Sequence, residues 1–193
     1  MKPIDTKRYL KLFVQSSKQR VLEVLFREPE IEFSLSELAK KAKVAKPHIG
    51  KILKDLKKLE LITIVELSKI WRIKANQNNI NYKKCKIIYN LNLIYQSGLI
   101  EFLNEQYNNP KAIILFGSFR YGEDYSKSDI DIAIEMDDDN EYQVIRLKSL
   151  FEFETLLGRI IQLHLFNRNN IDIHVFNNVA NGIVLQGFLE VKK

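Results

Sequence analysis

Apolar positions recur at helical spacing through the first third of the chain and then change to strand spacing. Val21, Leu22, Val24, Leu25 and Phe26 form one stripe behind Ser16 and Ser17, either of which can cap a helix that Pro29 stops. Thr6 to Phe13 reads as a shorter helix with a basic face. Ser36 is placed to cap a short helix Glu37–Lys41, with Leu38 and Ala39 inward, and Val44-Ala45 turns the chain. Ile49, Ile52, Leu53, Leu56 and Leu59 then make the stripe of a helix from Lys46 to Glu60, with Pro47 in its first turn, where a missing N–H does no harm. Two strand-like runs follow, Leu61–Leu67 and Ile70–Lys74, joined by Ser68-Lys69.

Asn76 to Asn81 is polar and aperiodic, and reads as a linker. Beyond it Tyr82–Gln96 predicts one long helix, with Ile87, Ile88, Leu91, Ile94 and Tyr95 on its inner face. Gly98 interrupts it, and Leu99–Tyr107 makes a second helix whose faces suit either a neighbouring sheet or a second copy of the chain. Ile113-Ile114-Leu115-Phe116 predicts a buried strand, and Ile130, Ile132, Ile134 and Met136 line one face of another. Glu141–Leu157 reads as a helix with Gly158 as its C-cap, and Ile160–Phe166 as a strand. Asn169–Ala180 suits strand or helix, Asn181-Gly182 turns, and Ile183–Val191 adds a final strand or packing segment. The expected organisation is a first domain over 1–75, a helical connector over 76–110, and an α/β (α+β) domain with a mixed sheet and flanking helices over 111–193.

Composition narrows the class. At 46% hydrophobic and 28% charged residues the chain is that of a folded, water-facing protein, and no apolar run reaches the roughly 18–20 residues of a membrane span. The N-terminus lacks the apolar stretch of a signal peptide, and the single cysteine, Cys85, rules out an internal disulfide. A reducing cytoplasm is the expected location. The net charge of +6 is uneven: residues 1–75 hold 18 Lys/Arg against 9 Asp/Glu, whereas residues 76–193 hold 12 against 15. The basic part is therefore expected to face a polyanion.

Candidate chemistry concentrates at two adjoining places. Asp129 and Asp131 alternate on a strand, so both project from one face, roughly 6–7 Å apart along the chain. Paired like charges are costly unless a cation lies between them, and hard carboxylate oxygens suit magnesium or manganese. Gly117-Ser118, at the end of the preceding strand, lets backbone approach a ligand closely, and Ser118 can cap a following helix and offer a hydroxyl to a phosphate. A triphosphate at the turn and a metal on the aspartates together make a phosphoryl- or nucleotidyl-transfer site.

Phe116-Gly117-Ser118, ten intervening residues and then Asp129-Ile130-Asp131-Ile132 resemble the signature of the polymerase-β-type nucleotidyltransferase superfamily, its small minimal members above all. Gly122-Glu123-Asp124 and Ser126-Lys127-Ser128 also fit that pattern. The resemblance implies Mg-dependent transfer of a nucleoside monophosphate from an NTP, most plausibly ATP, to a hydroxyl acceptor. Asp129 and Asp131 are then the catalytic and metal-holding carboxylates, and Gly117 and Ser118 the nucleotide-binding turn. In minimal relatives the acceptors include side chains of a partner toxin. The chain departs from the pattern twice. Arg120 stands one place early, and Gln162 occupies the expected position of a third carboxylate after Leu157-Gly158-Arg159. His164 shares the face of Gln162 and is a candidate proton acceptor. Asp172 could supply the missing carboxylate only if its segment returns to the site.

Helix, short helix, turn, basic helix and hairpin over residues 1–75 resemble a winged helix-turn-helix DNA-binding domain of archaeal and bacterial regulators, although Ala45 stands where a Ser or Thr cap is usual. The resemblance implies binding of double-stranded DNA. Lys46, His48 and Lys51 are candidates for base edges, and Lys54, Lys57, Lys58, Lys69 and Arg72 for phosphates. Two rival readings stand beside a DNA-binding nucleotidyltransferase. One is a transcriptional regulator or antitoxin-like autorepressor that binds nucleotide or a partner without turnover. The other is an enzyme that binds RNA and modifies its ends.

Overall fold

A computed structural model describes residues 16–67, 70–137 and 141–191, which divide into two compact units meeting between Tyr89 and Asn90. The expected helix over Thr6–Phe13 lies outside the described residues, as do Lys69 and Asp138-Asp139-Asn140.

In the first unit, α1 (Ser17–Arg27) is capped by Ser16, whose Oγ accepts from Gln19 N at 3.2 Å. Strand β1 (Phe33–Ser34) leads directly into α2 (Leu35–Lys41). The cap of α2 is Ser34, not Ser36. Ser34 Oγ accepts from Glu37 N at 3.3 Å, and Glu37 Oε2 accepts from Ser34 N at 2.8 Å. Ser34 has a glutamate three residues on and Ser36 has an alanine, so only the former closes a reciprocal box. These hydrogen bonds hold the Glu37 carboxyl below its ordinary range.

Helix α3 (Lys46–Lys58) buries Ile49, Leu53 and Leu56 completely, with Ile52 at the margin. Leu59, expected inside, is exposed, because the helix ends at Lys58 and Glu60 turns the chain at φ +56°. Strands β2 (Ile62–Leu67) and β3 (Ile70–Ala75) pair antiparallel, and β1 adds to the free edge of β3. Val21, Leu25, Phe33, Leu38 and Ile73 join the α3 stripe in one core, which Tyr82 closes by donating its O–H to Leu25 O at 2.8 Å.

Helix α4 (Ile80–Ser97) begins in this unit and ends in the next. Its buried seam is Tyr82, Lys86, Asn90 and Ile94, four residues apart. The expected inner residues Ile88 and Tyr95 are 68% and 51% exposed. Two seam positions are polar, so counting apolar residues misplaces the face. Asn90 is buried with its needs met: Nδ2 donates to Phe119 O and to Asp124 Oδ1, each at 2.9 Å.

The second unit is built on a mixed five-stranded sheet. Its strands are β4 (Ala112–Phe116), β5 (Ile130–Glu135), β6 (Gln143–Ile145), β7 (Ile161–Phe166) and β8 (Ile183–Gly187), in the order β6-β7-β5-β4-β8. Only β5 and β7 run parallel. One face, with Ile113, Leu115, Ile130, Ile132 and Ile134, packs with residues of α5 (Leu99–Gln106) and α7 (Phe151–Leu157). The other, with Ala112, Ile114, Ala133 and Phe166, packs with Val179 of α8 (Ile173–Ala180). A short helix α6 (Gly117–Tyr121) follows β4.

The single helix expected over Glu141–Leu157 is instead β6, a 3₁₀ turn (Lys148–Leu150) and α7. Val144 and Ile145 pair with His164 and Leu163 of β7. The β-branched pair takes the open edge of the sheet, which no local helical period could reveal. Asn169–Ala180 resolves as α8, capped by Asp172. Gly158 ends α7 in the left-handed conformation, as its position predicts.

Candidate active site

The site is assembled by two parallel strands and one tight turn. Asp131 sits on β5 opposite Phe116 of β4 on one side and Gln162 of β7 on the other. Asp129 precedes β5 by one residue. Both aspartates are half-buried, and their neighbours Ile130 and Ile132 face the core on the other side.

Gly117 is required where it stands. Its φ is +69°, and a Cβ built there would lie 2.2 Å from Asp131 Oδ2. The Asp131 carboxylate therefore occupies the space that any other residue's side chain would fill. Helix α6 starts at Gly117 with Phe116 at its N-cap position and no side-chain cap. Ser118, expected to cap, is thus already inside the first turn. Its backbone carbonyl accepts from Glu123 N at 3.0 Å.

Strand β7 contributes a partner to each aspartate. Gln162 Nε2 donates to Asp129 Oδ2, and His164 Nε2 lies 3.4 Å from Asp131 Oδ1. A carboxylate only accepts, so the hydrogen in the second contact belongs on Nε2. His164 Nδ1 is 2.6 Å from the Tyr142 hydroxyl, and Phe116 meets the imidazole edge-on at 4.7 Å between ring centres. Burial, and then the charge of Asp131, raise the Tyr142 phenol above its ordinary value, so it keeps its proton. Tyr142 was not singled out from the sequence, because the segment carrying it reads there as helix. Its only signal was an aromatic residue next to an acidic run.

Asp172 does not complete a third carboxylate position. Its carboxylate caps α8, accepting from His174 N at 2.8 Å and Val175 N at 3.4 Å. Among the described residues no group of three or more His, Cys, Asp or Glu is arranged to hold a metal ion. The donor set still suits magnesium. This ion commonly uses one or two carboxylates and takes its remaining ligands from water and substrate phosphate. With Asp129 Oδ2 and Asp131 Oδ1 met by β7, Asp129 Oδ1 and Asp131 Oδ2 remain as hard oxygen donors beside the Gly117 cradle.

In the first unit, Lys46, His48, Lys51, Lys54, Lys57 and Lys58 are all exposed on α3. At 100° per residue they spread over the helix surface that Ile49, Leu53 and Leu56 leave open, with Lys46 and Lys57 on one flank and His48 on the other. Among the described residues, two of the expected DNA contacts are engaged within the chain. Lys57 Nζ lies 3.9 Å from Glu66, and Arg72 Nε lies 3.0 Å from Glu32. Both pairs are exposed, and such pairs are worth little in water. Among the described residues no helix is long and apolar enough to cross a membrane.

No curated protein matches the chain. Among solved structures it is similar to NadR in complex with 4-hydroxyphenylacetate, at 15% identity and a TM-score of 0.34 over 52% of this chain and 69% of that one. It is similar to the same degree to MepR, a transcription regulator of the Staphylococcus aureus multidrug efflux pump MepA, at 14% identity and a TM-score of 0.34 over 52% and 71%. Residues 98–187, which contain the Gly-Ser turn, both aspartates, Gln162 and His164, match the family model described as Polymerase beta, Nucleotidyltransferase.

Proposed function

We propose that the chain is a DNA-binding nucleotidyltransferase that moves a nucleoside monophosphate from an NTP, in the first instance ATP, to a hydroxyl acceptor. The observation that carries this reading is the close seat of the Asp131 carboxylate against Gly117, with Asp129 alongside. In the transfer, a bond forms between the acceptor oxygen and the α-phosphorus, the α–β anhydride breaks, and pyrophosphate leaves. Asp129 and Asp131 would hold magnesium or manganese, which when bound screens the phosphates and stabilises developing charge. Gly117 and Ser118 would grip the triphosphate. Gln162 fixes Asp129 but, as a neutral amide, cannot take a proton. His164, whose Nδ1 is the ring nitrogen left to accept, is the candidate proton acceptor.

Calorimetry of Mg²⁺-ATP with the Asp129→Asn plus Asp131→Asn double variant tests the site. Binding should fall below detection while circular dichroism stays unchanged. Retained affinity in the folded double variant would defeat the reading.

A second reading has a specific observation in its favour: Gln162 occupies the position where relatives carry a third carboxylate and is spent on Asp129. On that reading the protein is a transcriptional regulator, or an antitoxin-like autorepressor, that binds nucleotide or a partner without turnover. Mg²⁺-dependent pyrophosphate release, with candidate protein or RNA acceptors, separates the two readings.

The basic face of the first unit supports a winged helix-turn-helix that binds duplex DNA, with α3 in the major groove and the β2–β3 hairpin on the backbone. Each phosphate contact contributes about −0.9 to the slope of log K against log salt. Lys57→Ala is expected to weaken binding to all sequences and lower that slope. Lys51→Ala should alter sequence preference, by about 1–3 kcal/mol for a base contact. A mobility-shift titration of the full chain that finds no duplex binding at low salt would rule this out.

A further inference from the structure

The Asp131 carboxylate offers two different oxygens. Oδ2 occupies the space beside Gly117, and Oδ1 faces His164 Nε2 at 3.4 Å. The last torsion of an aspartate is soft and nearly two-fold, so the strand alone does not decide which oxygen goes where. A group beyond β5 must hold the carboxylate in one orientation.

His164 is placed to do so. In register it stands opposite Ala133, whose small side chain leaves room for the ring, and it reaches back two residues along β5 to Asp131. Gln162, opposite Asp131, reaches back two residues to Asp129 in the same way. An imidazole has the same freedom as a carboxylate, since a half-turn of the ring exchanges its edge atoms. Phe116 meets the ring edge-on, which limits its tilt but does not distinguish nitrogen from carbon. The group that does distinguish them is the Tyr142 hydroxyl, 2.6 Å from Nδ1.

The direction of that bond follows from the far side of the ring. Nε2 carries hydrogen because it faces a carboxylate, so in the neutral ring Nδ1 has none and Tyr142 must donate. The phenol keeps its proton for this purpose: burial first, and then the charge of Asp131, hold its pKa above the ordinary value. Tyr142 lies two residues before Val144, which pairs with His164, so by strand alternation its side chain shares the face of the imidazole. A proton bound for Nδ1 would arrive through this hydroxyl, its oxygen taking the new hydrogen as its own passes on.

We propose that Tyr142 is a positioning residue for the metal-holding carboxylates: its O–H fixes the ring of His164, His164 fixes Asp131 Oδ1, and Asp131 Oδ2 is thereby left to a divalent cation beside Gly117. This role rests on the reading of Asp129 and Asp131 as metal ligands. Hydrogen-bond partners of metal ligands typically change metal affinity by roughly 10–100-fold when removed.

The experiment uses the full chain with ¹⁵N-labelled histidine, and Mn²⁺ alone as the metal. The chain has three histidines, and His164→Gln identifies the signals of His164. In the unaltered chain without metal, His164 is expected in the Nε2–H form, with Nδ1 coupled to a slowly exchanging Tyr142 hydroxyl proton. In Tyr142→Phe, which keeps the ring and loses only the oxygen, that proton disappears and the imidazole averages between its two orientations. Mn²⁺ binding, followed by broadening of the Gly117 and Ile130 amide signals, should weaken about tenfold in this variant. Made in a His164→Ala background, the same change should alter Mn²⁺ affinity less than about twofold, because Tyr142 acts only through the imidazole. Hydrogen on Nδ1 in the unaltered chain, or Mn²⁺ affinity in folded Tyr142→Phe within about twofold of the unaltered chain, would overturn the proposal. Should Tyr142→Phe not fold, the position of the hydrogen on His164 decides. No Mn²⁺ binding by the unaltered chain would overturn the metal reading of Asp129 and Asp131 and this role with it, and is told apart because no variant then shows broadening.

Discussion

Gly117→Ala is expected to remove Mg²⁺-ATP binding by at least a hundredfold and to lower stability as well. Two costs act together. Holding a residue with a Cβ at φ +69° costs about 1–2 kcal/mol. The added carbon would also lie 2.2 Å from Asp131 Oδ2, so the carboxylate must leave its seat or the turn must open. Either movement dismantles the proposed site. Gly187→Ala provides the control. Gly187 has a φ of +78°, and a Cβ there would lie 2.1 Å from Lys111 O, at the opposite end of the sheet. It should cost comparable stability and leave nucleotide affinity of the folded protein unchanged. Equal loss of affinity in both variants would show that general destabilisation, not the Asp131 seat, is responsible.

Ile132→Ala should destabilise the second unit by about 2–5 kcal/mol, the usual cost of emptying a buried isoleucine site. Ile132 is fully buried on β5, between β4 and β7, and follows Asp131 directly on the strand. Loss of this size is a large part of the 5–15 kcal/mol that typically separates folded from unfolded protein. The core is shared, so Asp129 and Asp131 should lose their geometry in the same transition. Urea denaturation checks this, with tyrosine fluorescence and the NMR signal of His164 followed in parallel. A midpoint unchanged from the unaltered protein would mean that β5 is not the keystone of the sheet.

The first unit was largely legible because its signals are local. The spacing of Ile49, Leu53 and Leu56, with Pro47 in the first turn, specifies α3 by itself. The β2–β3 hairpin follows from two β-rich runs and a short join. The Gly-Ser turn, the alternation of Asp129 and Asp131, and the shared face of Gln162 and His164 were likewise visible, because strand periodicity places side chains without knowledge of the fold.

What required the tertiary structure was every pairing between distant segments. Lys86 and Asn90 lie on a buried seam of α4 because polar partners elsewhere satisfy Asn90, and hydropathy reads such residues as surface. Val144 and Ile145 form a strand because the edge of β7 is open to them. Parallel β5–β7 pairing sets Asp131 beside Gln162, delivers the Gln162 amide to Asp129, and brings His164 and Tyr142 to Asp131. The seat of Asp131 against Gly117 also arises from contacts across the sheet. The sequence by itself determined which face of each strand the candidate site residues share. Only the tertiary structure decided what stands opposite them, because long-range register is chosen by the packing of the whole sheet rather than by any one segment's preference.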